Sequence, residues 1–227
     1  MEEKAPLLLT IAVLGGTGKE GKGLAFRWAR AGYKVVIGSR IPEKAVTAAS
    51  EIIELLEGSS SVVGASNLEA AEQAEIVVLT VPYAAHRDTL EGVKDALKGK
   101  LLIDVTVPLV PPKVTKVQMP AAGSAAQEAK AILGEDVQVV AAFQNISHEH
   151  LMTDSEVECD VLVTGSSKES RLEAIKLVEA AGLTGWDAGP IENSVVVEGL
   201  TSVLININKQ YGSTHAGIKI TGAHKKE

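Results

Sequence analysis

Six residues, Gly16-Thr17-Gly18-Lys19-Glu20-Gly21, hold the spacing G-x-G-x-x-G, and the apolar run Leu8 to Leu14 leads into them. A buried strand that passes through a glycine turn into a helix presents free N–H groups and a positive helix end to phosphates. Gly16 permits the tight turn, Gly18 lets a pyrophosphate approach the backbone, and Gly21 lets the helix pack close to the strand. The expected chemistry is dinucleotide binding. The alternative reading is a glycine turn that holds nothing.

The next strand selects the dinucleotide. NAD sites place Asp or Glu about 20 residues on, where the carboxylate bonds the ribose 2′-hydroxyl. Here the strand ends Gly38-Ser39-Arg40 without a carboxylate. Ser39 has a hydroxyl to donate, and the Arg40 guanidinium pairs with a phosphate in a fork. Lys44 follows on the first turn of the next helix, where a cation is unfavourable for the dipole unless it has an anion to meet. Thr17 adds a hydroxyl from the loop. These residues point to NADP over NAD, against the plainer reading of Arg40 and Lys44 as solvated charge.

A proton donor is harder to find. Tyr33, Tyr83 and Tyr211 are followed four residues on by Ile37, Arg87 and His215, so no Tyr-Lys pair exists at the short-chain dehydrogenase spacing. His148 and His150 flank Glu149 with no third ligand in sight, so no metal is expected, and there is no G-x-S-x-G elbow. No catalytic acid or base is assigned. Reduction of an ordinary ketone needs a donor at the developing alkoxide, whereas passage of a hydride between two carriers needs mainly alignment.

The elements that position these residues alternate. Strands are expected at Leu8–Leu14, Lys34–Ile37, Ser61–Gly64, Ile76–Val81 and Leu101–Val105. Helices are expected at Gly21–Arg30, Pro42–Glu57, Asn67–Ala74, with Asn67 as cap, and Ala84–Leu97. A proline-rich loop, Thr106 to Pro120, interrupts the alternation. Helix Ser124–Leu133, strand Val137–Ala142, an irregular polar stretch to Glu158, strand Val161–Val163, helix Lys168–Ala181, strand Leu183–Asp187 and an apolar helix Asn193–Lys209 follow. The expected fold is α/β: a doubly wound, mostly parallel Rossmann sheet with a small C-terminal helical extension. Residues 1–143 read as the NADP-binding domain and 144–227 as a smaller region completing the sheet and the substrate pocket. Ligands are then expected beyond the carboxyl ends of the strands.

Composition narrows the partners. Twenty-two Lys+Arg against 29 Asp+Glu give a net charge of −7, which argues against nucleic acid, as do only 2 Trp, 3 Tyr and 2 Phe. A single cysteine, Cys159, excludes an internal disulfide framework. No run approaches the ~20 apolar residues that span a bilayer, and Glu2 and Glu3 do not suit a signal peptide. A cytoplasmic protein with a disordered stub of about five residues is expected. The apolar segment Val195 to Ile207 either closes the site or buries against a second subunit, and a homodimer is expected.

The motifs taken together resemble the NADPH-dependent reductases of coenzyme F420, the 8-hydroxy-5-deazaflavin carrier. The similarity runs through Leu14-Gly15-Gly16-Thr17-Gly18 with Gly21-Lys22-Gly23-Leu24-Ala25, Gly38-Ser39-Arg40 with Lys44, Leu79-Thr80-Val81-Pro82 with His86, Asp187-Ala188-Gly189-Pro190, Glu198-Gly199-Leu200-Thr201, Ile205-Asn206-Ile207 and Gly217-Ile218. The resemblance implies hydride exchange between nicotinamide C4 of NADP(H) and C5 of coenzyme F420. It implies that Thr17, Ser39, Arg40 and Lys44 hold the 2′-phosphate. Lys19 and Glu20 of the glycine loop, with Thr80, Val81 and Pro82, would lie along the cofactor. It implies a second-substrate pocket from Tyr83, His86, Gln144, Asn145, Ile146 and Leu204, with Ile146 against the rings. Two departures stand out. Gln144 replaces a histidine of archaeal members, keeping hydrogen bonding but losing titration, and Tyr83 stands where a tryptophan occurs.

Lys113 and Lys116, in the proline-rich loop, are candidate contacts for a polyanionic deazaflavin or plain solvated lysines. Other acceptors (a flavin, a quinone, ferric iron) and a non-catalytic NADPH sensor remain open on the residues alone. The scarcity of aromatics predicts a ring pocket walled by aliphatic and amide side chains.

Overall fold

The computed structural model describes residues 9–58, 60–152 and 157–224. The expected N-terminal stub and Leu8 lie outside the described residues.

The strands are β1 (Thr10–Leu14), β2 (Lys34–Ser39), β3 (Val62–Ser66), β4 (Ile76–Leu79), β5 (Leu101–Asp104), β6 (Gln138–Ala141), β7 (Asp160–Gly165) and β8 (Thr184–Pro190). The helices are α1 (Lys19–Arg30), α2 (Pro42–Leu55), α3 (Asn67–Gln73), α4 (His86–Val93), α5 (Ala125–Leu133), α6 (Lys168–Ala180) and α7 (Ser194–Tyr211). One sheet runs in the order β3-β2-β1-β4-β5-β6-β7-β8. Every neighbouring pair is parallel except β6 with β7. The chain reverses its direction of travel across the sheet between β1 and β4, and a crevice opens there beyond the strand ends.

Both faces of the sheet are covered, so its central strands are apolar throughout. In β1, Ile11 and Val13 face one core with Leu24, Trp28, Ile52 and Leu177, while Ala12 and Leu14 face the other with Leu90, Leu97 and Leu133. The alternation follows from the two-residue period of a strand. Beyond residue 143 the same sheet continues through β7 and β8, and α6 packs on the first of these cores.

Some boundaries shift for local reasons. Strand β4 stops at Leu79, because the Thr80 hydroxyl donates 2.9 Å to Leu14 O and Pro82 cannot extend a ladder. The segment Ala84–Leu97, expected as one helix, divides into a 3₁₀ turn at Tyr83–Ala85, then α4, then a second 3₁₀ turn at Lys94–Leu97. The cap of α3 is Ser66 rather than Asn67. The Ser66 hydroxyl accepts from Glu69 N, and the Glu69 carboxylate accepts from Ser66 N, forming a capping box. That releases the Asn67 side chain for another task.

Candidate active site

The glycine loop closes tightly. Gly16 N donates to Val13 O at 3.2 Å and to Gly38 O at 3.1 Å, and Gly18 N donates to Gly15 O at 3.1 Å. A Cβ on Gly16 would sit 2.7 Å from Val13 O, and one on Gly21 would strike Thr80 and Gly16. Gly16 and Gly21 therefore lie behind the cleft as packing residues. Gly18 is different, since a Cβ there would meet only Gly15 O at 3.6 Å, so its exposed edge is open to a ligand. No side chain caps α1 at Gly18, which leaves first-turn amides for phosphate oxygens. Asn67 completes the loop: its Oδ1 accepts from Gly15 N at 3.3 Å. Asn67 was legible only as a helix cap; its place at the carboxyl end of β3 was the available clue.

A cleft of about 680 Å³ lies over this loop, and Thr17, Gly18, Lys19, Glu20, Ser39, Arg40, Lys44, Thr80, Val81, Pro82 and Tyr83 all line it. The structure thus gathers eleven of the expected residues from the ends of three strands, β1, β2 and β4. Arg40 and Lys44 are exposed and form no ion pair among the described residues. Ser39, next to Arg40, is buried, its Oγ accepting from Ile41 N at 3.1 Å. Two unpaired cations beside a hydroxyl and free helix amides form a donor set that fits a phosphorylated dinucleotide. Val105, Thr106, Val107 and Leu109 wall the far side. Lys113 and Lys116 do not line the cleft.

The other expected residues lie deeper or further along the sheet. Tyr83 donates its hydroxyl to Glu128 at 2.7 Å, and burial together with that carboxylate pushes the phenol up to about 12. His86 is 1% exposed and does not line the cleft. Its Nε2 is 2.7 Å from Asp104 Oδ2. Burial would lower the imidazole, but the Asp104 carboxylate outweighs it and holds His86 above its ordinary value. Asp104 also accepts from Thr106 N at 3.0 Å through Oδ1, and its backbone carbonyl accepts from Gln144 Nε2 at 2.7 Å. His86 therefore acts on the cleft only through Asp104 and Thr106, because α4 turns its first residue inward.

Gln144, Asn145, Ile146 and Leu204 converge on a second cavity of about 160 Å³. The loop after β6 makes it. Phe143 takes a left-handed φ of 73°, an unusual value for a large side chain, and its ring packs edge-on against Trp28 at 5.9 Å. Arg27, buried, donates to Leu151 O at 2.9 Å and His150 O at 2.6 Å, and so clamps the far end of the loop to α1. Asn145 Nδ2 donates to Val197 O at 3.0 Å and to Thr201 Oγ1 at 3.2 Å. The tail closes the rim, with Ala216 N donating to Asn208 Oδ1 at 2.9 Å. Two acceptors of this cavity, Gln144 Oε1 and Asn145 Oδ1, are buried without a partner among the described residues, which fits a ligand that carries N–H or O–H donors.

Glu198, on α7, is fully buried, and its oxygens accept from Ala125 N at 2.7 Å and Ala126 N at 3.0 Å. Burial pushes it up to about 8 against those two amides. Sequence alone gave no sign that this helical acid faces inward. Among the described residues no cluster of His, Cys, Asp and Glu is arranged to hold a metal, and no helix is long and apolar enough to cross a membrane.

The doubly wound sheet, the glycine loop and the cation pair define a dinucleotide-binding α/β protein. A family model described as NADP oxidoreductase, coenzyme F420-dependent, matches residues 10–108. The F420-dependent NADP reductase of Methanothermobacter marburgensis is 43% identical over 220 residues, covering 94% of this chain and 98% of the relative. That of Methanocaldococcus jannaschii is 38% identical, covering 94% and 98%. The chain belongs to the F420-dependent NADP reductase family. A crystal structure from Arthrobacter sp. FB24, provisionally assigned as an F420-dependent NADP-reductase, superposes with a TM-score of 0.78 at 25% identity, over 94% of this chain and 99% of that one.

Proposed function

We propose that the protein transfers a hydride between NADP(H) and coenzyme F420. The observation that carries this reading is the pairing of an open cleft holding unpaired Arg40 and Lys44 with a second, polar cavity at the same sheet edge. Residues 1–143 are read as the NADP-binding part and residues 144–227 as the part that completes the sheet and the second pocket. When bound, NADP(H) supplies or accepts the hydride at nicotinamide C4. The chain's own residues bind and align. Arg40, Lys44, Thr17 and Ser39 take the 2′-phosphate, the amides at the head of α1 take the diphosphate, and Val81, Pro82 and Val105 exclude water from the cofactor. Gln144, Asn145, Ile146 and Leu204 hold the deazaflavin. With Tyr83 kept as a phenol and His86 enclosed, neither group offers an exposed proton, as suits a transfer that depends on alignment.

The partner carriers are small molecules, and the protein is read as cytoplasmic, consistent with a free, buried Cys159. We also propose a homodimer. One stripe of α7 leaves Val196, Val203, Ile207 and Tyr211 exposed, at 69%, 45%, 38% and 83%, which is the apolar face an isologous contact covers. Light scattering of a Val203→Asp variant gives monomer mass where the parent gives dimer.

Mixing the protein with NADPH and oxidised F420 in a stopped-flow spectrometer tests the main reading. Loss of the deazaflavin absorbance at the rate of NADPH oxidation is the expected result. NADPH oxidation only with another acceptor, or no turnover at all, overturns it.

A further inference from the structure

Glu20 is out of character for its position. It is the second residue of α1 and lines the cleft, where a dinucleotide brings its negatively charged diphosphate. A carboxylate suits a bare helix N-terminus, but in a phosphate site it opposes the ligand.

The structure shows how the conflict is resolved. Glu20 Oε1 is buried and has no hydrogen-bond partner among the described residues. The cations near it are committed or directed elsewhere. Lys22 on the same helix pairs with Glu51 at 2.7 Å. The charge of Lys19 bears on Glu149, alongside His148 and His215. Arg40 stands on the β2–α2 turn and Lys44 on the first turn of α2, and from the β4–α4 turn the titratable group on the cleft is Tyr83, engaged with Glu128. From the loop packed on α1 at Gly23 and Arg27, His150 stacks on His215. None of these groups offsets the charge of Glu20, and burial alone pushes it up to about 8. A neutral carboxylic acid is a hydrogen-bond donor, unlike a carboxylate.

We infer that Glu20 is a binding residue that meets the dinucleotide as a neutral acid, donating its O–H, so that the cofactor binds together with the proton on this side chain. The inference rests on the NADP reading of the cleft. It makes affinity depend on pH with a definite sign. The bound polyanion disfavours ionisation further, so the complex holds its proton to higher pH than the free protein does. Affinity is then constant below about pH 8 and falls as pH rises above it, by about tenfold between pH 7 and 9.

Fluorescence titration of NADPH at pH 6 to 9.5 tests this, with calorimetry at pH 9 in two buffers of different ionisation enthalpy to count protons. The parent should weaken about tenfold from pH 7 to 9 and take up close to one proton on binding at pH 9. Glu20→Gln, which keeps the shape and a donor, should match the parent at pH 7, show a flat profile and take up no proton. Glu20→Leu should be flat as well but severalfold weaker at pH 7, since it has no donor. A parent profile that is flat, a slope that survives in Glu20→Gln, or full affinity at pH 7 in Glu20→Leu overturns the role of Glu20 while leaving the cofactor assignment intact. Failure of the parent to bind NADPH at any pH overturns the cofactor assignment and this inference with it.

Discussion

The two cavities are built in different ways, though they share one sheet edge. The larger is made of backbone: glycine turns, helix amides and short strand-end segments whose shape is set by hydrogen bonds such as Gly16 N to Gly38 O. The smaller is made of side chains held by other side chains, with Asn145 tied to Thr201 and Gln144 to the Asp104 carbonyl. A backbone site needs little more than local sequence to form, whereas a side-chain site exists only when distant elements have packed. Asp104 joins residues of both: its carboxylate bonds His86 and Thr106 N, and its backbone carbonyl accepts from Gln144.

Removing the Asp104 carboxylate has the largest expected effect. Asp104→Ala leaves a buried histidine and a buried amide without partners, and should cost about 3–5 kcal/mol of stability in urea denaturation. An effect below 1 kcal/mol would mean that the buried His86–Asp104 pair does little to hold the cleft wall in place. Next comes the cation pair. Arg40→Ala should weaken NADPH by ~10–100-fold, from a lost charged hydrogen bond of about 1.5–3 kcal/mol, and leave NADH unchanged. Equal loss for both nucleotides would place Arg40 away from the 2′-phosphate.

Gln144→Ala should sharpen the contrast from the other side. The KM for the deazaflavin should rise by about 2–10-fold, from a neutral hydrogen bond of ~0.5–1.5 kcal/mol, with NADPH affinity unchanged in direct titration. The smallest effect is on pH dependence. His86 is held above its ordinary value of 6.5, so the folded state binds more protons than the unfolded one. The stability this contributes is complete below about 6.5 and fades as pH rises through the higher folded-state value. His86→Gln should remove that part of the slope in melts taken from pH 5 to 8; an unchanged slope would show that His86 does not titrate in the fold.

Legibility followed the same division. Thr17, Ser39 and Arg40 were readable because the turn that presents each of them is encoded within a few residues of it. Gln144, Asn145 and Ile146 were expected by resemblance, and the structure brings them to one cavity with Leu204, 58 positions beyond Ile146 in the chain. His86 lay in a recognisable segment, yet it faces inward, because the 3₁₀ turn at Tyr83–Ala85 resets the phase of α4. Asn67 changed role because Ser66 took the cap.

By itself, the sequence determined the doubly wound order of elements, the glycine turn and the absence of a 2′-hydroxyl-binding acid, since strand burial, turn geometry and local charge are properties of short segments. Only the tertiary structure decided that Glu20 turns one oxygen inward and that Glu198 is enclosed, that Asp104 ties His86, Thr106 and Gln144 together, and that α7 with the tail closes the second cavity. Those outcomes depend on how far each side chain is withdrawn from water by elements remote in the chain, and burial of that kind leaves no local mark.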